Sequence, residues 1–312
     1  MKILVTGAAG FIGSHLAEAL LSAGHQVIGL DNFNPYYDRD IKERNAASVR
    51  AAGGRVVEAD LAVDELDEYL EGVSAVFHAA AQPGLSAATS DADYERNNVL
   101  ATRRLIEAAS RQDESPMLLY LSTSSVYGAV ATGGEEVEPQ PTSNYGRTKL
   151  AAERIVLAAS SDGRLKSCSL RIFSVYGPRE RPEKLFPLLI QCIDSGTSFP
   201  LFEGSMRHVR SFTYVGDIVA GLLRALERRE QLNGEIINLG SEQTSTTEQG
   251  IRLVEGFMGK PARLEICPPR PGDQVTTQAK LEKARRLLDF VPKTTLSEGL
   301  RSEVAWFRGD EG

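Results

Sequence analysis

Tyr145 and Lys149 stand four positions apart in SNYGRTKLAAERI, and four hydroxyl side chains, Ser122, Thr123, Ser124 and Ser125, follow the apolar run of LYLSTSSVYG. On a helix, residues four apart project from one face, so this phenol and ammonium can meet at one point. A free tyrosine titrates near 10 and is a poor base at neutral pH. A neighbouring ammonium and an oxidised nicotinamide both favour its phenolate, which can then take a proton from a substrate hydroxyl. Thr123 can hold that same hydroxyl and share or relay its proton. Read blandly, Tyr-x-x-x-Lys is a solvated helix face and Thr123 caps the end of a strand. The surrounding elements decide between the readings.

Upstream, VTGAAGFIGSHL places Gly7, Gly10 and Gly13 between a short apolar strand and a helix. A dinucleotide needs a tight turn, backbone without a side chain beside its pyrophosphate, and close helix–strand packing, all of which glycine supplies. The helix N-terminus then presents free amides and a positive dipole end to the phosphates. Asp31 ends the second strand, HQVIGLD, eighteen positions after Gly13. A carboxylate there can bind a ribose diol and repels a 2′-phosphate, so NAD is the expected cofactor.

The rest of the chain alternates strands and helices. KILVTG, HQVIGLD, RVVEADL, SAVFHAA, MLLYLS and KSCSLRIF read as buried strands. FIGSHLAEALLSAG reads as a helix whose inner face is Ile12, Leu16, Ala19 and Leu20. Further helices are expected near 41–52, 93–110 and 143–160. This pattern predicts an α/β fold, a doubly wound parallel sheet covered on both faces. Past Tyr176 the pattern turns irregular, and SFTYV and EIINLG are expected to return to the sheet.

With 312 residues, 42% hydrophobic and 25% charged, the chain can form two lobes. A net charge of −7 argues against nucleic acid or an anionic membrane as partner. Cys168, Cys192 and Cys267 are odd in number and widely spaced, and with four scattered histidines they form neither a metal-ligand pattern nor a disulfide framework. The opening MKILVTGAAG holds too few apolar residues for a signal peptide or a span, so the cytoplasm is expected.

The glycine loop, Asp31-Asn32, ADL at 59–61, HAAA at 78–81, Asn98, the Thr/Tyr/Lys set and VYGPRERP together resemble an extended short-chain dehydrogenase/reductase. Within that superfamily the chain is similar to nucleotide-sugar 4-epimerases. It is nearest to the UDP-glucuronate 4-epimerases, through LDNFNPYYD, STSSVYG, YGPRERP and FEG. The resemblance implies a Rossmann sheet with a smaller C-terminal substrate lobe, NAD, a UDP-sugar substrate and a homodimer packed through the helices near 93–110 and 143–160. It implies NAD contacts from Gly7, Gly10, Phe11, Ile12, Gly13, Asp31, Asn32, Asp60, Leu61, Ala79, Ala80, Ala81, Asn98, Ser122, Tyr145 and Lys149. It also implies substrate contacts from Ser124, Ser125, Ser174, Arg181, Arg210, Arg270 and Asp273. The lobes are expected to interleave: 1–172 with about 211–239 for NAD, and about 173–210 with 240–312 for the UDP-sugar.

Related dehydratases carry Asp-Glu after the threonine, and glucuronate decarboxylases carry Ser-Glu. Here Ser124-Ser125 offers two small hydroxyls, suited to holding a carboxylate without an acid beside it. Two positions depart from the pattern. Ser211 replaces the aspartate of Arg-Asp-Phe, and Ser86 stands where glucuronate epimerases typically show arginine. Ser86 weakens the case for a carboxylate-bearing sugar and keeps open a UDP-glucose/galactose or N-acetylated-sugar 4-epimerase; a rival of another class is a non-catalytic NAD-sensing regulator, which typically lacks the tyrosine or lysine, both present here.

Overall fold

Successive residues of the first strand enter opposite apolar layers. In β1 (Lys2–Thr6), Ile3 and Val5 belong to one cluster and Leu4 to the other, which is why the strand is apolar without interruption. The computed structural model describes residues 1–84, 89–270 and 272–310. With β2 (Gln26–Asp31), β3 (Arg55–Glu58), β4 (Ala75–His78) and β5 (Met117–Thr123), β1 forms the centre and one side of the main sheet. The strands Ser167–Ile172 and Ile236–Leu239 complete it. Among the described residues this sheet has seven strands, all parallel, in the order Ile236–Leu239, Ser167–Ile172, β5, β4, β1, β2, β3.

The order reverses at β1: β2 and β3 lie on one side, β4 and β5 on the other. A parallel sheet opens a crevice beyond the carboxyl ends of its strands at such a switch point. Thr6 pairs with Leu30 on one side and His78 on the other, so the residues after Thr6, Asp31 and His78 all reach this crevice. The helix α1 (Phe11–Ser22) starts there, and its buried face is Gly13, Ser14, Leu16, Ala17 and Leu20. Ile12 and Ala19, expected inside, are only partly covered. The face is rotated from the expected one, and Ile12 borders the crevice.

Two expectations need correction. The helix near 93–110 is not continuous. It begins at Asp91 behind a capping box between Ser90 and Asp93, passes through a π-turn over Glu95–Leu100, and resumes over Ala101–Ser110. The stretch SFTYV does not return to the main sheet: Thr213–Tyr214 pairs with Val175–Tyr176 in a separate two-stranded ladder. EIINLG does return, as the strand Ile236–Leu239.

A third apolar cluster lies away from the main sheet. It gathers Phe186, Leu189, Ile190, Ile251, Val254, Leu300 and Val304 from the helices Leu185–Ser195, Thr247–Met258 and Leu296–Arg308, with Tyr176 and Phe199 from the strands Val175–Tyr176 and Ser198–Phe202. This cluster backs the far wall of the crevice. Among the described residues no helix is long and apolar enough to cross a membrane.

Candidate active site

The crevice is a cleft of about 610 Å³ between the carboxyl edge of the sheet and the third cluster. Its glycine floor is built by close backbone approach. Gly7 has φ +71°, and a Cβ there would stand 2.9 Å from the amide nitrogen of Ala80, which no side chain could tolerate. A Cβ on Gly13 would collide with the carbonyl of Gly7. Gly10 stands at the N-cap of α1 and offers no side-chain cap, and the first turn holds no acidic residue, so the leading amides and positive dipole end are left for an anion.

Asp31 is buried at the edge of this floor, accepting hydrogen bonds from the amides of Ala9 (3.1 Å) and Phe33 (2.9 Å). Burial raises its pKa, and the nearby Lys42 ammonium opposes that rise. Asn32 donates to Asp60 at 3.3 Å, and Arg96 pins Asp60 at 2.8 Å. A side-chain-free cradle, an uncapped helix terminus and a carboxylate beyond it fit the two phosphates and a ribose of NAD.

The helix Asn144–Ser161 carries Tyr145 and Lys149 across the cleft. Ser143 caps it by accepting from the Gly146 amide at 3.1 Å. Gly146 lets it approach the hydroxyl run, since a Cβ there would stand 2.7 Å from the Ser125 carbonyl. Tyr145 faces the cleft and shares a hydrogen bond with Thr123. Desolvation raises the Tyr145 pKa, against the pull of Thr123 and Arg181. Lys149 is 2% exposed, and its Nζ donates to the Leu121 carbonyl at 2.7 Å. Burial draws its pKa down to about 7, opposed by the Glu153 carboxylate. The protein's own field therefore leaves Tyr145 protonated at neutral pH. A further positive charge beside the phenol is needed to make it a base.

The hydroxyl run is at once a cap and a floor. Thr123 accepts from the Ser125 amide at 3.1 Å and donates to the Ser125 hydroxyl at 3.3 Å, capping a 3₁₀ turn over Ser124–Tyr127. Ser124 donates to Gln274 at 3.3 Å, and Gln274 returns bonds to the carbonyls of Ser124 (3.2 Å) and Gly128 (2.9 Å). Ser122, Thr123, Ser124 and Ser125 all border the cleft.

At the outer end, Arg210 and Arg270 converge with Asp273, which pairs with Arg270 at 2.8 Å. The Arg270 guanidinium lies 4.9 Å from the centre of the Phe202 ring. Arg210 Nη1 is buried without a hydrogen-bond partner among the described residues. An unsatisfied buried guanidinium donor is costly, so this wall is built to receive an anion. Arg181 stacks 5.5 Å from the Tyr36 ring centre, near Gly84, and Ser174 also borders the cleft.

The cleft thus brings together every expected site residue except one. Asn98 stands behind the wall at 1% exposure. It accepts from the Gln82 amide (2.7 Å) and donates to Thr148 (3.0 Å) and to the Gln82 carbonyl (3.2 Å). The π-turn rotates Asn97, not Asn98, to the cleft surface. Ser211 is buried with its hydroxyl on the Ser241 carbonyl, so the side chain that departs from the pattern does not itself line the cleft, although Arg210 and Phe212 beside it do. Ser86 lies outside the described residues. Missed by the sequence reading were Tyr36, Tyr37, Lys42, Glu180, Lys184, His208 and Gln274. Tyr36 and Tyr37 stood in the LDNFNPYYD loop and Glu180 in VYGPRERP, whereas the others carried no spacing signal.

A parallel sheet with a glycine cradle at its switch point and a Tyr-Lys pair beside a threonine defines a dinucleotide-dependent enzyme of the short-chain type. The NAD dependent epimerase/dehydratase family model matches residues 3–240. UDP-glucuronate 4-epimerase 4 of Arabidopsis thaliana is 35% identical over 329 residues, spanning 98% of this chain and 75% of that protein. A Bacillus subtilis (strain 168) protein described as the uncharacterized UDP-glucose epimerase YtcB is 35% identical over 311 residues, 98% of each chain. The crystal structure of UDP-glucuronic acid 4-epimerase from Bacillus cereus, in complex with UDP-glucuronic acid and NAD, superposes with a TM-score of 0.94. It is 34% identical and covers 100% of both chains. The chain belongs to the NAD dependent epimerase/dehydratase family, and NAD is its cofactor.

Proposed function

We propose that this protein is a UDP-sugar 4-epimerase that interconverts UDP-glucuronate and UDP-galacturonate. The observation that carries the reading is the floor of the cleft: Thr123, Tyr145 and Lys149 meet there opposite two serine hydroxyls, with no carboxylic acid in that turn. NAD held in the glycine cradle supplies reversible hydride exchange at the sugar C4. Tyr145 takes the proton of the 4-hydroxyl and gives it back, while Thr123 holds that hydroxyl in place. Lys149, in its protonated form, places positive charge beside the phenol and favours the phenolate. Ser124 and Ser125 hold the substrate carboxylate away from the geometry in which a β-keto acid loses carbon dioxide. Ser174 and Arg181 flank the sugar, and Arg210 and Arg270, oriented by Asp273, take the diphosphate through their forked donors.

Cofactor contacts fall to Gly7, Gly10, Phe11, Ile12, Gly13, Asp31, Asn32, Asp60, Leu61, Ala79, Ala80, Ala81 and Ser122, with Asn98 supporting the wall behind them. Residues 1–172 and about 211–239 form the NAD lobe, and about 173–210 and 240–312 the UDP-sugar lobe. The protein works in the cytoplasm as a homodimer packed through the helices near 93–110 and 143–160. Turnover on a panel of UDP-glucuronate, UDP-glucose and UDP-N-acetylglucosamine tests the reading. UDP-galacturonate without UDP-xylose is expected from the first. Rapid turnover of UDP-glucose with none of UDP-glucuronate would move the substrate to UDP-glucose/galactose, the reading that Ser86 favours, and leave the chemistry standing.

A further inference from the structure

Lys149 is almost wholly enclosed, yet among the described residues the protein atom that receives a hydrogen bond from its ammonium is a single carbonyl, that of Leu121. A buried ammonium has three donors and a full charge to satisfy. Besides the cleft that it lines, the titratable groups around it among the described residues are few. Tyr145 and Glu153 lie one turn to either side on its own helix. Tyr120 lies on β5, and His78 on β4 stands beyond Tyr120, paired with it in register.

Two of these are committed elsewhere. The Glu153 carboxylate receives Arg171 Nη2 at 2.6 Å and the Ser169 hydroxyl at 2.6 Å, an ion pair with both side chains 2% exposed. His78 is held between Thr6 (2.7 Å) and Thr102 (2.8 Å), and burial, with Lys149 adding to the effect, keeps it neutral, its pKa down to about 3.

Tyr120 is different. Its ring centre lies 4.1 Å from Lys149 Nζ, and its hydroxyl donates to the Lys149 carbonyl at 3.3 Å, so one side chain touches the lysine at both ends. Alternation along β5 sends Leu119 and Leu121 into one apolar layer and Leu118 and Tyr120 into the other. The ring face therefore lies under the helix Asn144–Ser161. The negative face of an aromatic ring attracts a cation most strongly where water is excluded, and Tyr120 is 1% exposed.

We propose that Tyr120 is a positioning residue of the reaction, its ring face holding the Lys149 ammonium in place beneath Tyr145. This rests on the role given to Lys149 above. The ring supplies what Glu153, shared with Arg171, and one carbonyl do not: a broad, low-lying attraction that fixes the cation without a competing proton acceptor.

The test keeps the volume of the ring and drains its face. In the NAD-loaded enzyme, position 120 is changed to Phe, as the reference that loses only the hydroxyl, and then to 4-fluoro-, 3,5-difluoro- and 3,4,5-trifluorophenylalanine. Removing the attraction lets Lys149 lose its proton at lower pH. Relative to Tyr120→Phe, kcat should fall stepwise by about tenfold across the series, and its alkaline limb should move down by about one pH unit. Lys149→Met is measured alongside. A flat series with an inactive Lys149→Met overturns the role of Tyr120 alone. An active Lys149→Met overturns the assignment of Lys149 and this inference with it. Because the fluorinated rings nearly match phenylalanine in size, misfolding cannot imitate the graded response.

Discussion

Lys149→Met should abolish turnover and yet make the cofactor-free protein more stable. Folding takes the Lys149 ammonium from water, where its pKa is 10.5, to a site that draws it down to about 7. At pH 7 the unfolded chain holds this proton fully and the folded chain only about half the time. At about 1.36 kcal/mol per pKa unit, the charge costs about 4 kcal/mol of stability there. Methionine fills a similar volume without the charge. It leaves the Leu121 carbonyl without its donor, about 1 kcal/mol, and gives up the contact with the Tyr120 ring, about 1 kcal/mol more. A net gain of roughly 2 kcal/mol follows, or about 4 °C in Tm for a chain of this size.

Its pH dependence is the diagnostic. Between pH 7 and 10.5 the unfolded chain binds more protons at this site than the folded one, so the unmodified protein gains stability as pH rises through that window. Methionine has no such slope, and the advantage of the variant should shrink steadily from pH 7 to pH 10. Urea denaturation of cofactor-stripped protein at both pH values measures this, without the loss of NAD affinity intruding. A variant less stable than the parent at pH 7, or an advantage that does not shrink by pH 10, would refute the buried-charge argument.

Tyr145→Phe should lower kcat by about 10²–10⁴-fold while UDP-sugar affinity stays close to that of the parent, since only the proton acceptor is lost; calorimetry and turnover together check this, and substantial residual activity would point to another base. NAD should bind far more tightly than NADP because the buried Asp31 carboxylate meets any 2′-phosphate, and Asp31→Ser should narrow the gap by titration; comparable affinities in the parent would sink this assignment. Ser125→Glu should raise KM for UDP-glucuronate by about tenfold through like-charge repulsion and disturb UDP-glucose much less. An equal effect on both sugars would remove the carboxylate from the serine turn.

What was legible in the sequence was what is local. Tyr145 and Lys149 share one helix face, and Gly7, Gly10 and Gly13 share one turn, so spacing alone brings each set together. Thr123 could be read because a strand end fixes where its side chain points. Asn98 came from the resemblance, and its place behind the cleft wall, with Asn97 at the surface, follows from the π-turn over Glu95–Leu100, which apolar periodicity does not register. Gln274 is the converse case. It braces the serine turn from 150 residues away, a contact that only the folded chain supplies. SFTYV has the composition of a sheet strand, but Val175–Tyr176 offers it a nearer partner. Tyr120 read as one more apolar residue of a buried strand, and its place beneath Lys149 emerges only where β5 and the helix Asn144–Ser161 pack.

The most direct test of the central claim is the fate of deuterium placed at C4 of UDP-glucuronate, followed by NMR with the purified protein and its own NAD. The account predicts UDP-galacturonate with the label still on C4, no accumulation of NADH and no UDP-xylose. Loss of the label to solvent, or carbon dioxide as the main product, would contradict it.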